Sequence, residues 1–64
     1  MAMRLSAEVD GWAPVKEAAY VSGCGIRSVW RYISQERILF RRVMGWRVEV
    51  ALSSKGQLVE LLPD

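Results

Sequence analysis

The tetrapeptide SGCG at residues 22–25 separates two short segments that both have helical periodicity. Because glycine adopts positive φ at little steric cost, the chain can turn sharply between them. In the first segment a small apolar stripe lies on one helical face and consists of Val15, Ala18, Ala19 and Tyr20. Pro14 suits the first turn of a helix, where its missing N–H is not needed. The sequence therefore predicts a first helix over residues 14–21, followed by a tight turn.

The second segment has the stronger helical pattern. Its apolar residues recur at i, i+3, i+4 and i+7 and are Ile26, Val29, Trp30 and Ile33. This spacing predicts a helix over residues 26–34 whose apolar face, Trp30 included, packs in the core. The opposite side is polar and cationic and carries Arg27, Ser28, Arg31 and Gln35.

The periodicity changes after Arg37. An apolar run at 38–40 suits a strand, and further on apolar and charged residues alternate along Trp46, Arg47, Val48, Glu49 and Val50. A two-residue period is typical of a half-buried strand. We therefore expect a β-hairpin over residues 38–50, with Gly45 in its connection and Trp46 in the core. The basic tip of this hairpin would consist of Arg41, Arg42 and Arg47.

The last segment has the features of a helix start. Ser53 or Ser54 can serve as the cap, and Gln57 stands three residues beyond Ser54, as in a capping box. Three leucines, Leu58, Leu61 and Leu62, would form the inner face of this helix. The predicted fold class is α+β, with the order helix, tight turn, helix, hairpin, helix.

The length of 64 residues allows one domain at most. A chain of this size buries only about 60% of the surface that its unfolded form exposes, so its stability margin is thin. Residues 1–11 are predicted to be a flexible N-terminal lead, and residues 12–64 the folded domain. No apolar run approaches the ~20 residues of a membrane span, and the N-terminal residues lack the apolar stretch of a secretory signal. The single cysteine rules out an internal disulfide, which fits a reducing compartment, so we expect a cytoplasmic protein.

Residue usage excludes several kinds of site. The chain has no histidine and one cysteine, which excludes a zinc site made of Cys and His and excludes Ser/His or Cys/His catalysis. No other constellation supports an enzyme. The sequence therefore predicts a non-catalytic domain without a metal or other cofactor.

The charge is concentrated in residues 23–47, which contain six arginines and a single acidic residue, Glu36. The rest of the chain has three basic and six acidic residues. A local charge of about +5 beside flanks of about −3 indicates one surface that faces an anion. A polyanion such as nucleic acid is the partner that such a distribution favours.

The spacing Ala19-x3-Gly23-x5-Val29 is that of a helix-turn-helix, in which a small residue lies at the helix crossing. The second helix of such a unit projects its free face into the DNA major groove. The basic hairpin supplies a second contact, mainly with phosphates. The predicted DNA-binding residues are Arg27, Ser28, Arg31, Tyr32, Gln35, Arg41, Arg42 and Arg47. For Tyr32, donation to a phosphate and partial burial both stay open.

The stretch GWAPVKEAAYVSGCGIRSVWRYI, followed by WRVEVALSS, resembles the N-terminal DNA-binding domain of phage Mu-type transposases. The matching features include Trp12, the Lys-Glu-Ala helix start at 16–18, Gly23 and the serines at the end of the hairpin. Pro14 replaces the usual Ser or Thr cap, Lys55-Gly56 replaces Leu-Pro, and the hairpin is short and poor in glycine.

The resemblance implies a winged-helix fold that binds a transpositional enhancer or operator in a Mu-like prophage. It implies double-stranded DNA as a partner, together with other domains or subunits of a transposase, and it places the catalytic residues in a separate domain. VKEAAYVSGCGIRSVWRYI is also similar to the helix-turn-helix segments of excisionases and MerR-type regulators. A protein-interaction adaptor, whose arginines enter an acidic protein groove, is the alternative outside DNA binding.

Overall fold

The computed structural model describes residues 4–63, which form an α+β fold, as predicted. Two helices and five strands follow in chain order: β1 (Arg4–Leu5), β2 (Gly11–Pro14), α1 (Val15–Ser22), α2 (Ile26–Ser34), β3 (Phe40–Val43), β4 (Arg47–Leu52) and β5 (Leu61–Leu62). The strands make a three-stranded antiparallel sheet in the order β2-β4-β3 and a two-stranded sheet of β1 and β5. Neither helix is long and apolar enough to cross a membrane.

The tight turn between the helices is confirmed. Gly23 ends α1 in the left-handed conformation, with φ of 76°, and the Cys24 N–H donates to the Ala19 carbonyl at 3.0 Å. This pairing satisfies a carbonyl that the end of a helix otherwise leaves free. Ala19 and Val29 are buried in the same core cluster, so the two helices meet at the predicted residues.

The buried face of α2 differs from the prediction. Val29 and Ile33 are buried, but Ile26 and Trp30 are each 46% exposed. The principal neighbour of α2 is α1, which packs in turn on β2 and β4. Because no other element of the described residues covers the flank with Ile26 and Trp30, the prediction that Trp30 packs in the core is wrong.

The hairpin lies where the sequence predicts it. In its register Val50 pairs with Phe40 on one side and with Ala13 on the other, and these side chains lie on the face of the sheet that packs on the helices. Trp46 is 83% exposed, because it belongs to the turn and the strand alternation begins only at Arg47. The prediction that Trp46 packs in the core is therefore wrong.

The core lies between the three-stranded sheet and the helices. Its buried cluster consists of Ala13, Val15, Ala18, Ala19, Val29, Ile33, Ile38 and Val50. The alanines of α1 let the helix approach both the sheet and α2, because they add little bulk at the contact.

The predicted C-terminal helix is absent, and residues 57–62 are extended. The Val59 N–H donates to the Ala51 carbonyl, and the Val59 carbonyl accepts from the Leu39 N–H, so this segment is bonded on both sides. Gly56 has φ of 74°, which ends any helical turn after Ser53. A side chain at Gly56 would also contact Val21, at 3.1 Å from its Cγ1. Pairing with distant backbone thus outweighs the local capping signal.

Part of the segment predicted as a flexible lead makes backbone contacts. Arg4 and Leu5 pair with β5, and the Ser6 hydroxyl accepts a hydrogen bond from the Glu60 N–H at 2.8 Å. The Asp10 N–H donates to the Leu52 carbonyl at 2.8 Å, just before β2 begins. The two ends of the described chain therefore meet in one small sheet.

Replacing Ser53 with alanine is expected to destabilise the fold by about 0.5–2 kcal/mol, as loss of a capping hydroxyl does in helices. Ser53 is buried, and its hydroxyl oxygen accepts from the N–H groups of Lys55 and Gln57, both at 3.3 Å. Urea denaturation measures the change. Ser54→Ala is the matched control, because Ser54 is exposed. This change should lower the free energy of unfolding by less than ~0.5 kcal/mol. Equal effects of the two changes would contradict the role of Ser53 in the turn.

Candidate nucleic-acid interface

The outer face of α2 presents two arginines one turn apart. Arg27 and Arg31 are exposed and stand at i and i+4, so their side chains lie on the same side of the helix. Gln35 follows on this side at the C-terminal cap of α2 and is also exposed. Residues 26–34 contain no acidic residue, so no carboxylate of α2 offsets the charge of the two arginines. These three side chains form the outer face of α2 as predicted.

Two predicted residues lie on a flank of α2 instead. Ser28 and Tyr32 are half-buried, and Tyr32 packs against the core cluster. The guanidinium carbon of Arg37 lies 5.2 Å from the centre of the Tyr32 ring, within the range of a cation–π interaction. Tyr32 is thus a partly buried tyrosine whose ring has a structural role. A contact between its hydroxyl and a phosphate stays a prediction.

A groove of about 460 Å³ lies beside this flank. Tyr32 and Arg37 line it together with residues from the turn after α1, the N-terminal segment and the C-terminal extended segment. Tyr32 is therefore turned towards this groove and away from the side with Arg27 and Arg31.

The arginines of the hairpin are not at its tip. Arg41 and Arg42 lie in β3 and Arg47 begins β4, whereas the turn consists of residues 44–46. The prediction of a basic tip is wrong in this respect, because the strands extend further than the charge pattern suggests. The apolar side chains of Met44 and Trp46 occupy the tip instead, and they are 82% and 83% exposed.

Neighbouring arginines of β3 face opposite sides of the sheet. Arg42 pairs with Val48, so its side chain lies on the side where the helices pack. Arg41 pairs with Glu49, on the other side, and Arg47 shares that side because it is two residues from Glu49. All three are exposed. Only Arg42 therefore shares a side of the sheet with the helices.

Arg41 has its charge neutralised within the domain. Its Nη2 and Nε atoms donate to one carboxylate oxygen of Glu49, at 2.7 and 2.9 Å. Its guanidinium carbon also lies 4.4 Å from the centre of the Trp12 ring. Trp12, a residue of the resemblance, thus packs against the sheet face with Arg41. This arrangement holds Arg41 against the sheet.

Within residues 4–63, the pair of Arg41 and Glu49 is the one ion pair. The other arginines of residues 23–47 lack a carboxylate within 4 Å in this part of the chain and are Arg27, Arg31, Arg37, Arg42 and Arg47. The same part of the chain contains no group of three His, Cys, Asp or Glu side chains placed to hold a metal ion. Within the described residues, these five exposed arginines are therefore not neutralised by a carboxylate of the domain.

Comparison with known proteins finds no matching family model, no significantly similar curated protein and no significantly similar solved structure.

Proposed function

We propose that the domain binds double-stranded DNA as a winged helix-turn-helix. In this proposal α2 enters the major groove, and the β3–β4 hairpin is the wing that lies along the adjacent backbone. The parent protein is proposed to be a Mu-type transposase, as the resemblance implies. An excisionase or MerR-like regulator with the same docking mode is the alternative. The domain is proposed to bind DNA and not to cleave it.

The outer face of α2 is the observation that carries the proposal. The major groove, about 12 Å wide, admits an α-helix, and arginine forms two hydrogen bonds with guanine or pairs with phosphate. Arg27 and Arg31 are exposed, lie one turn apart and have no acidic neighbour on their helix. Gln35 can pair with adenine from the same side. Such a set of donors suits base edges or phosphates and has no partner within the described chain.

The hairpin supports the proposal through Arg42. This side chain is exposed and lies on the side of the sheet where the helices pack. We therefore propose that it contacts a phosphate of the DNA strand beside the groove that α2 enters. Contacts of this kind position a protein on the duplex without specifying sequence. Arg41, which is bound to Glu49, is proposed to stabilise the wing and not to contact DNA.

Titration with duplexes of random sequence at low and moderate salt tests DNA binding itself. Phosphate contacts release counterions, so the affinity should fall steeply as salt rises. Selection from a random pool then shows whether a preferred sequence exists. Absence of binding even at low salt would overturn the proposal and favour the protein-interaction adaptor, whose partner would be an acidic protein surface.

Arg42→Ala is expected to weaken binding to all duplex sequences and to reduce the slope of log K against log salt by about 0.9, the value for one phosphate contact. Fluorescence anisotropy over a range of salt concentrations measures this slope. The matched control is Arg41→Ala with Glu49→Gln, which removes both charges of the ion pair and leaves the net charge unchanged. Its slope should equal that of the wild type. Equal slopes for Arg42→Ala and the wild type would contradict the phosphate contact.

A further inference from the structure

We infer that the tip of the hairpin is an apolar wedge that enters the minor groove and bends the DNA. The inference rests on the proposed duplex binding and adds a function to the part of the wing that carries no charge. The wedge consists of Met44, Gly45 and Trp46, which connect β3 to β4.

The exposure of the wedge is the first ground. Met44 and Trp46 are 82% and 83% exposed, and within residues 4–63 only Tyr20, at 88%, is a more exposed large apolar side chain. Single exposed apolar residues are common on protein surfaces. Here, however, two large ones stand together at the most protruding part of a hairpin, where packing within the domain does not use them.

The backbone of the tip is the second ground. Met44 and Gly45 both have positive φ, of 58° and 81°, and the Trp46 N–H donates to the Met44 carbonyl at 2.9 Å. Positive φ is uncommon for a residue with a side chain such as methionine. The turn is therefore narrow and internally bonded, and it carries both exposed apolar side chains within three residues.

The charges beside the tip identify the partner. Arg42 and Arg47 are exposed within two residues of the turn and have no carboxylate partner in residues 4–63. An apolar tip between cations complements a duplex, because phosphates border each groove and the edges of the stacked base pairs form its floor. Proteins that insert apolar side chains between base steps in the minor groove kink the duplex by roughly 20–90°. The chemistry of the wedge thus favours deformed duplex DNA over an acidic protein.

Energy transfer between dyes at the two ends of a short duplex tests the inference on the full chain. Saturation with the wild type should increase the transfer, because the duplex bends. Trp46→Ala and Met44→Ala should each remove more than about half of this increase. The wild type should also bind a duplex with an unpaired bulge about tenfold more tightly than the intact duplex, because the bases at the bulge are already unstacked. Trp46→Ala should lose that preference.

Tyr20→Ala is the matched control, because Tyr20 is an equally exposed aromatic residue on α1 and outside the hairpin. It should bend DNA like the wild type. Circular dichroism should show unchanged folding for all variants, since each altered side chain is exposed. Binding without bending, with Trp46→Ala equal to the wild type, would overturn the wedge and leave DNA binding intact. A complete lack of duplex binding would overturn both proposals.

Discussion

Replacing Arg27 and Arg31 together with alanine is expected to abolish the preference of the domain for its best duplex sequence and to lower the affinity for that duplex roughly a hundredfold or more. A bidentate contact between an arginine and a base contributes about 1–3 kcal/mol of discrimination, and the change would remove two such contacts from the proposed complex. The outer face of α2 would keep only Gln35 among its predicted contacts. Competition between the selected duplex and random duplexes, at one fixed salt concentration, measures both effects.

The control is the double change of Lys16 and Lys55 to alanine. Both lysines are exposed and lie outside α2. This variant therefore loses the same number of positive charges without changing the outer face of α2. Its preference for the selected duplex should be that of the wild type. A uniform loss on all sequences for Arg27 and Arg31 would instead assign them to phosphates. If neither the preference nor the affinity changed, α2 would not be the helix that enters the groove.

The elements with strong local patterns could be predicted from the sequence. The bounds of α2 follow from its apolar spacing, and the strands of the hairpin follow from the alternation at residues 47–50. The C-terminal segment could not be predicted in this way. The predicted capping box of Ser54 and Gln57 does not form. The Ser53 hydroxyl instead accepts from the N–H groups of Lys55 and Gln57 and closes a turn, and the backbone at 37–39 and 4–6 offers extended pairing to the residues that follow.

The candidate site was also only partly predictable, because its local charge pattern is visible in the sequence and its strand register is not. Charge density located the arginines, whereas the strand register decides which of them are available. A turn centred on Gly45 places Arg41 opposite Glu49 and Arg42 opposite Val48, so two adjacent arginines acquire different partners and face different sides. The exposure of Trp46 follows from the same turn. A register derived from the turn at Gly45, and not from residue types alone, would have separated Arg41 from Arg42.

Ile38→Ala is expected to unfold much of the protein at room temperature. Ile38 is 2% exposed and is among the largest fully buried side chains of the core. It lies between α2 and β3 and forms a β-bridge with Glu60, so it connects the core to the C-terminal extended segment. Truncating a buried isoleucine to alanine costs about 2–5 kcal/mol. A core of this size supplies only about 3–5 kcal/mol in total, so the change removes most of the stability.

Ile26→Ala is the matched control for this prediction, since Ile26 is the same residue type but is 46% exposed on α2. Its free energy of unfolding should change by less than about 0.5 kcal/mol, as for most surface substitutions. Urea denaturation followed by far-ultraviolet circular dichroism compares the two variants with the wild type. A loss for Ile38→Ala no larger than that for Ile26→Ala would mean that the extended C-terminal segment does not close the core. In that case residues 57–62 would not be part of the scaffold that holds the hairpin and α2 in place.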